Sequence, residues 1–261
     1  MSNIPSLAYV HPNVEIKDDV IVEPFAYIED NVVIGSGTRI MPHACIMSGA
    51  RIGKNCTIFP NAVISGIPQD LKFENEESLA IIGDNTTVRE CATVNRGTKS
   101  RGQTIVGNNC LLMAYCHVAH DCVLKDNVII GNSVQIAGEV EIYDYAIVSG
   151  GTLIHQFTRI GKHTMIQGGT RLGKDIPPYT VAGREPVSYV GLNIVGLRRR
   201  GFTREQINNI QEVYRYLYLS GYNTTQALDK IESELLETEE QKDIVDFVRS
   251  SSRGVVRGNM D

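Results

Sequence analysis

An aliphatic residue returns at every sixth position along most of this chain, and that period constrains the fold more than any other feature. The first run is Val10, Ile16, Val22, Ile28, Ile34, Ile40, Ile46, Ile52, Ile58 and Ile64. It resumes at Ile82, Val88 and Val94, and again at Val106, Leu112, Val118, Leu124, Ile130, Ile136, Ile142, Val148, Ile154, Ile160, Ile166 and Leu172. Four positions after these sites the residue is small or β-branched, as at Val20, Ala26, Thr38, Ala44, Cys56, Cys110, Cys116, Cys122, Val128, Ala146 and Thr164. A glycine often follows directly, as at Gly35, Gly53, Gly83, Gly107, Gly131, Gly161 and Gly173. A period of six fits neither the 3.6 of a helix nor the alternation of a hairpin meander. It fits short strands joined by sharp turns, each turn needing a small residue or glycine. Three hexads close a triangular coil of eighteen residues, and coils stack by parallel pairing at about 4.8 Å. The predicted fold is mainly β: a parallel β-helix of hexapeptide repeats over residues 1–190, roughly nine coils tall, with the periodic aliphatics pointing inward.

Two stretches break the hexad without losing its register. Residues 65–80 contain Gly66-Ile67-Pro68-Gln69-Asp70-Leu71-Lys72-Phe73 and an acidic run, and residues 95–103 contain Arg96-Gly97-Thr98-Lys99-Ser100-Arg101-Gly102. Both read as loops thrown out from the prism, where binding groups are favoured. After Leu172 the pattern ends at Asp175-Ile176-Pro177-Pro178-Tyr179, and an irregular linker is expected to about Gly191. Residues 191–261 then read as a small α-helical domain closing the end of the prism. Thr203 caps a helix with an apolar stripe of Ile207, Ile210, Val213, Tyr214 and Leu217; a second opens at Thr224 or Thr225, and a third runs from Glu240 to about Ser250.

Composition narrows the function. The net charge of -5 argues against a nucleic-acid partner. No apolar run approaches the roughly 18 residues of a membrane span, and Met1–Ser6 lacks the marks of a secretory leader, so a cytoplasmic protein is expected. Disulfides are then not expected among the six cysteines. Cys56, Cys110, Cys116 and Cys122 fall on the small position of the repeat and read as space-fillers rather than metal ligands.

The chemistry gathers at Leu111-Leu112-Met113-Ala114-Tyr115-Cys116-His117-Val118-Ala119-His120-Asp121-Cys122. With eighteen residues per coil, His120 lies under Gly138, and Gly138 under Gln156 beside His155. Asp121 lies under Glu139, which predicts two carboxylates crowding the histidine. A glycine above His120 leaves an open slot and a backbone N–H within reach of a substrate. Such a column suits acyl transfer: His120 as general base, Asp121 fixing its tautomer, and the Gly138 N–H holding the oxyanion. Histidines on a repeat surface are commonly only solvated, a reading open for His117 and His120 and expected for His11, His43 and His163.

The hexapeptide His117-Val118-Ala119-His120-Asp121-Cys122 resembles the signature of the UDP-N-acetylglucosamine O-acyltransferase family, which opens lipid A biosynthesis. The resemblance includes Gln69-Asp70-Leu71-Lys72, Val94-Asn95-Arg96-Gly97-Thr98, His155-Gln156-Phe157, Asp175-Ile176-Pro177-Pro178-Tyr179, Gly191-Leu192-Asn193-Ile194 and Gly196-Leu197-Arg198-Arg199-Arg200-Gly201-Phe202, in that order. It implies a left-handed parallel β-helix and a homotrimer with active sites between neighbours, and no cofactor or metal. It implies an (R)-3-hydroxyacyl group on acyl carrier protein as donor and the 3-hydroxyl of UDP-N-acetylglucosamine as acceptor. His120, Asp121 and Gly138 take the catalytic roles. Gln69, Asp70, Lys72, His117, His155, Gln156, Asn193 and Arg199 match substrate contacts. Gly168 matches the residue that gauges acyl length, and a glycine there implies a long chain. Arg198-Arg199-Arg200 would attract an acidic carrier protein. The chain departs from the family pattern at Glu139, where a histidine is expected, at Val195, where an acid is expected, and over Gly183–Tyr189. Three other readings share the prism: an N-acyltransferase sibling, for which the hexad starting at Val10 leaves no room for an N-terminal uridine-binding domain; a zinc lyase like the γ-type carbonic anhydrases; and a non-catalytic scaffold.

Overall fold

A computed structural model gives the architecture and describes residues 5–258. The expected domain limits at 1 and 261 and the start at Met1–Ile4 lie outside the described residues. The described residues form three sheets of nine, eight and ten strands, each visited in turn, so that every third strand joins the same sheet. The result is a three-sided parallel β-helix. Register follows the predicted eighteen: Leu112 pairs with Ile130, Ile130 with Val148, and Val148 with Ile166. On the nine-stranded face Val118, Ile136, Ile154 and Leu172 make the same ladder.

The ladder aliphatics form one continuous core, with Ile28, Ile46, Val94, Leu112, Val118 and Ile130 all at 0% exposure. Each buried side chain of this kind contributes about 2 kcal/mol. Val10 and Ile16, in the first coil, are only partly buried. The second repeat position fills the corners: Cys56, Cys110, Cys116 and Cys122 are buried beside Thr38, Thr86, Thr104 and Thr152. Burial pushes the Cys110 thiol up to about 11 and those of Cys116 and Cys122 to about 12, which keeps them in the space-filling thiol form.

The turns differ from expectation in one respect. Most of the left-handed residues are not the repeat glycines but residues three after each ladder site, such as Asn55 (φ 53°), Asn109 (φ 55°) and Asn127 (φ 60°). A short polar side chain bonds locally and tolerates that region. The glycines answer a different need. A Cβ on Gly35 would lie 2.6 Å from the Gly53 carbonyl carbon in the next coil, so close stacking of backbones at the corner excludes a side chain.

The two loops leave the nine-stranded face and return into the eight-stranded one. The first connects strands Val63–Gly66 and Leu79–Ile82, the second Thr93–Asn95 and Gln103–Val106. Ile64 still pairs with Val94, and Val94 with Val118, so both insertions preserve the ladder.

The linker expected to be irregular up to Gly191 is ordered. Strand Thr180–Gly183 adds to the ten-stranded sheet and turns back as an antiparallel hairpin with Ser188–Leu192. No period announces it, because it is a single hairpin held by the sheet edge rather than a repeat. Helix α1 (Ile194–Arg199) follows, then α2 (Arg204–Leu219), α3 (Thr224–Glu234) and α4 (Glu239–Arg249). Thr203 caps α2 in a reciprocal capping box with Gln206. α3 opens at Thr224 as expected, capped by Asn223, whose side chain accepts from the Gln226 N–H. The helices surround a second core of Leu197, Ile207, Ile210, Val213, Tyr214, Leu228, Ile231, Ile244 and Val248, joined to the prism by Tyr179. The prism's own core takes in Ile176 and Ala182, together with Val256 from the C-terminal tail.

Candidate active site

The nine-stranded face carries a cleft of about 730 Å³ around the predicted column. Its floor follows from the stacking rule: His117, Gln135, Leu153 and Arg171 stand one above another on successive outward strand positions. His120, Gly138 and Gln156 line one wall with His155, and Gln69 reaches in from the first loop. Six of the predicted site residues thus converge: Gln69, His117, His120, Gly138, His155 and Gln156.

His120 sits at a corner, after strand His117–Val118, with its side chain 18% exposed. A Cβ on Gly138 would lie 2.6 Å from His120 Cε1 and 2.8 Å from Nε2, so the imidazole fills the space a side chain would take. Among the described residues the Gly138 N–H meets no acceptor, although its neighbour Glu139 donates to the His120 carbonyl.

Asp121 is fully buried and holds the His120 imidazole from behind. His120 Nδ1 lies 2.8 Å from Asp121 Oδ2. The Thr98 hydroxyl donates to the same oxygen at 2.7 Å, while the N–H groups of Thr98 and Arg101 donate to Oδ1 at 3.0 and 3.1 Å. With donors converging on both oxygens, the carboxylate accepts, so Nδ1 carries the imidazole proton and Nε2 offers its lone pair to the cleft. Asp121 takes its donors from the second loop, and the half-buried Glu139, like Asp121, lies in the field of Arg101. Burial works against the Arg101 charge, but the bond to Glu141 and the charges of Glu141, Glu139 and Asp121 outweigh it and hold the guanidinium above its ordinary range.

His117 is tied by its Nδ1 to the Thr93 hydroxyl at 2.7 Å. Burial first, and the charge of His120 second, hold its pKa below the usual imidazole value, which favours its neutral form beside His120. Asp70 and Lys72 are in the first loop, where the Asp70 carboxylate accepts from the Lys72 N–H. Gly168 is exposed at the opposite edge of the cleft's face, beside the Gly150 carbonyl. Asn193 is buried; its side chain caps α1 at the Gly196 N–H and donates to the His163 carbonyl. Arg199 is exposed in the last turn of α1. These five lie outside the cleft of a single chain.

Some residues escaped sequence reasoning. Gln135, Leu153 and Arg171 follow His117 in successive steps of eighteen and could have been found by the same column rule. Thr98 and Arg101 could not, because a loop outside the repeat has no register. His163, expected to be solvated, is instead buried: Tyr145 and Tyr179 stack on its faces and Phe202 meets it edge-on. Among the described residues no group of three or more His, Cys, Asp or Glu could hold a metal ion, and no helix is long and apolar enough to cross a membrane.

Comparison with known proteins places the chain in a family. The family model for UDP N-acetylglucosamine O-acyltransferase, domain 2, matches residues 175–256; a bacterial transferase hexapeptide model matches 103–138, and a GMPPB C-terminal domain model matches 4–106. The acyl-acyl-carrier-protein–UDP-N-acetylglucosamine O-acyltransferase of Thermodesulfovibrio yellowstonii is 40% identical over 98% of this chain and 100% of its own length. The solved UDP-N-acetylglucosamine acyltransferase of Bacteroides fragilis superposes with a TM-score of 0.96 at 56% identity, covering 97% of this chain and 100% of that one. That of Francisella novicida gives 0.96 at 40% identity, covering 100% and 95%. With identity of this order sustained from end to end, the chain belongs to the UDP-N-acetylglucosamine O-acyltransferase family of acyltransferases.

Proposed function

We propose that this enzyme transfers an (R)-3-hydroxyacyl group from acyl carrier protein to the 3-hydroxyl of UDP-N-acetylglucosamine, the first step of lipid A biosynthesis. The relatives' names supply the carrier donor and the sugar-nucleotide acceptor. The observation that carries the mechanism is the His120–Asp121 pair, whose Nε2 is free on the side of Gly138. His120 takes the proton of the sugar hydroxyl as its oxygen attacks the thioester carbon. The tetrahedral oxyanion is held by the Gly138 N–H. The carbon–sulfur bond then breaks, and the imidazolium returns the proton to the departing carrier thiol.

In this reading Gln69, His117, His155 and Gln156 bind substrate in the cleft. Asp70, Lys72, Gly168, Asn193 and Arg199 act in a homotrimer, whose neighbouring copy completes each site. Arg198, Arg199 and Arg200 draw the acidic carrier to the cleft, and the reaction runs in the cytoplasm. The test is acyl transfer from a series of 3-hydroxyacyl carrier proteins to UDP-N-acetylglucosamine, with His120→Ala beside the native enzyme. Turnover that collapses in the variant supports reaction and base together. Turnover that survives removes His120 from the mechanism.

A further inference from the structure

The second loop is built around the carboxylate behind the base. It leaves the prism after Asn95 and returns at Gln103. Three of its donors, the Thr98 N–H, the Thr98 hydroxyl and the Arg101 N–H, end on Asp121, a side chain with no solvent access. The loop itself is fixed at its neck. The Gly97 N–H donates to the Leu79 carbonyl at 3.1 Å, the Gly102 N–H to the Thr98 carbonyl at 2.7 Å, and a Cβ on Gly97 would strike the Gln103 backbone. The first loop supports it in turn, since Glu76 Oε1 accepts from the Lys99 N–H at 2.9 Å.

The Thr98 hydroxyl has a defined direction. It accepts from the Ser100 N–H at 3.2 Å and donates to Asp121 Oδ2, the oxygen that also accepts from His120 Nδ1. One oxygen therefore divides its charge between a threonine and the imidazole. The main-chain N–H of Asp121 is fixed separately by Thr104 Oγ1 at 2.8 Å, so the backbone and the carboxylate are anchored by different residues.

We infer that Thr98 is a positioning residue for the acyl transfer, setting the orientation of Asp121 and the share of its charge that reaches His120. The inference rests on His120 being the base. It also assigns the second loop to the base rather than to the substrate. Its hydroxyl can be removed without changing shape. In Thr98→Val, Oδ2 keeps one donor, so the imidazolium is better stabilised and the acidic limb of the kcat/KM profile moves to higher pH. With Oδ1 still held by two N–H groups, the carboxylate turns by a fraction of the roughly 1 Å that costs a hundredfold, so kcat falls on the order of tenfold. KM for the sugar nucleotide stays within about twofold, because the residue does not line the cleft. Arg101, His117 and Glu139, the other charged or titratable groups nearby, are unaltered.

The experiment compares native enzyme, Thr98→Val, Thr98→Ser and His120→Ala for kcat, KM and pH profile, with thermal unfolding as a control on folding. Serine restores the hydroxyl and is expected to return both kcat and the acidic limb. If Thr98→Val does not fold, Thr98→Ala gives the same readout with a small void in place of a misplaced methyl. An inactive His120→Ala together with a valine or alanine variant of native kcat and unshifted profile overturns the role of Thr98 while leaving the base intact. A variant that loses only thermal stability, with its pH profile unmoved, overturns it equally. An active His120→Ala overturns the base assignment itself.

Discussion

Replacing Gly138 by alanine tests the geometry of the proposed base most directly. The added methyl would lie 2.6 Å from His120 Cε1 and 2.8 Å from Nε2. Carbon atoms in contact sit about 3.5–4.0 Å apart, so the ring must retreat by about 1 Å. It cannot do so freely, because Nδ1 is anchored to Asp121 at 2.8 Å and hydrogen bonds of this kind lengthen little beyond about 3.2 Å before they weaken. The ring therefore swings and re-aims Nε2. A 1 Å misplacement of a catalytic group costs about a hundredfold, equivalent to about 2.7 kcal/mol of transition-state stabilisation. Gly138 does not use the left-handed region, so alanine is tolerated by the backbone, and its N–H remains for the proposed oxyanion contact. The expected result is kcat lowered about a hundredfold with an unchanged thermal midpoint. Nitrogen NMR of the imidazole should report a displaced His120. Turnover within about threefold of native would refute the reasoning, since it would mean the ring is not held where the carboxylate and Gly138 require.

Other consequences follow from the packing. Burial, reinforced by Arg200 and Lys162, lowers the His163 pKa from 6.5 to about 4. The unfolded chain thus binds this proton first, and the related stability is complete above pH 6.5, declines as the pH falls, and levels off below about 4; the loss is on the order of 3 kcal/mol. Urea unfolding should show a shallower decline between pH 7 and 5 in His163→Phe, which keeps the stack with Tyr145 and Tyr179; an equal decline would remove His163 as the cause. Ile130→Ala, in the middle of the fully buried ladder, should cost about 2–5 kcal/mol by chemical denaturation. If Gly168 gauges the acyl chain, as the resemblance implies, Gly168→Met should shift the preferred donor to shorter acyl chains; an unchanged donor profile would separate Gly168 from chain length.

The prism was legible because its rule is local and repeated. One side chain in six points inward, and each coil imposes the same requirement on the next, so the period alone gave the sheets, the ladder pairs and the column of His120 under Gly138. The C-terminal helices were legible from apolar stripes and caps, apart from short α1. The hairpin of residues 180–192 was not, since a single pair of strands has no period and its order comes from the sheet edge it joins. His163 looked like any surface histidine of the repeat; Phe202, from beyond the prism, helps bury it.

The sequence by itself determined the β-helix, its register and the residues of the cleft wall, because a repeat turns sequence distance into spatial distance at eighteen residues per coil. Only the tertiary structure decided how the His120 imidazole is held. The donors to Asp121 come from Thr98 and Arg101, twenty-three and twenty residues away, in a loop whose course no period fixes. Satisfying a buried carboxylate is what fixes that course: an unpaired charge there is costly, and the nearest backbone able to pay in hydrogen bonds is the loop's.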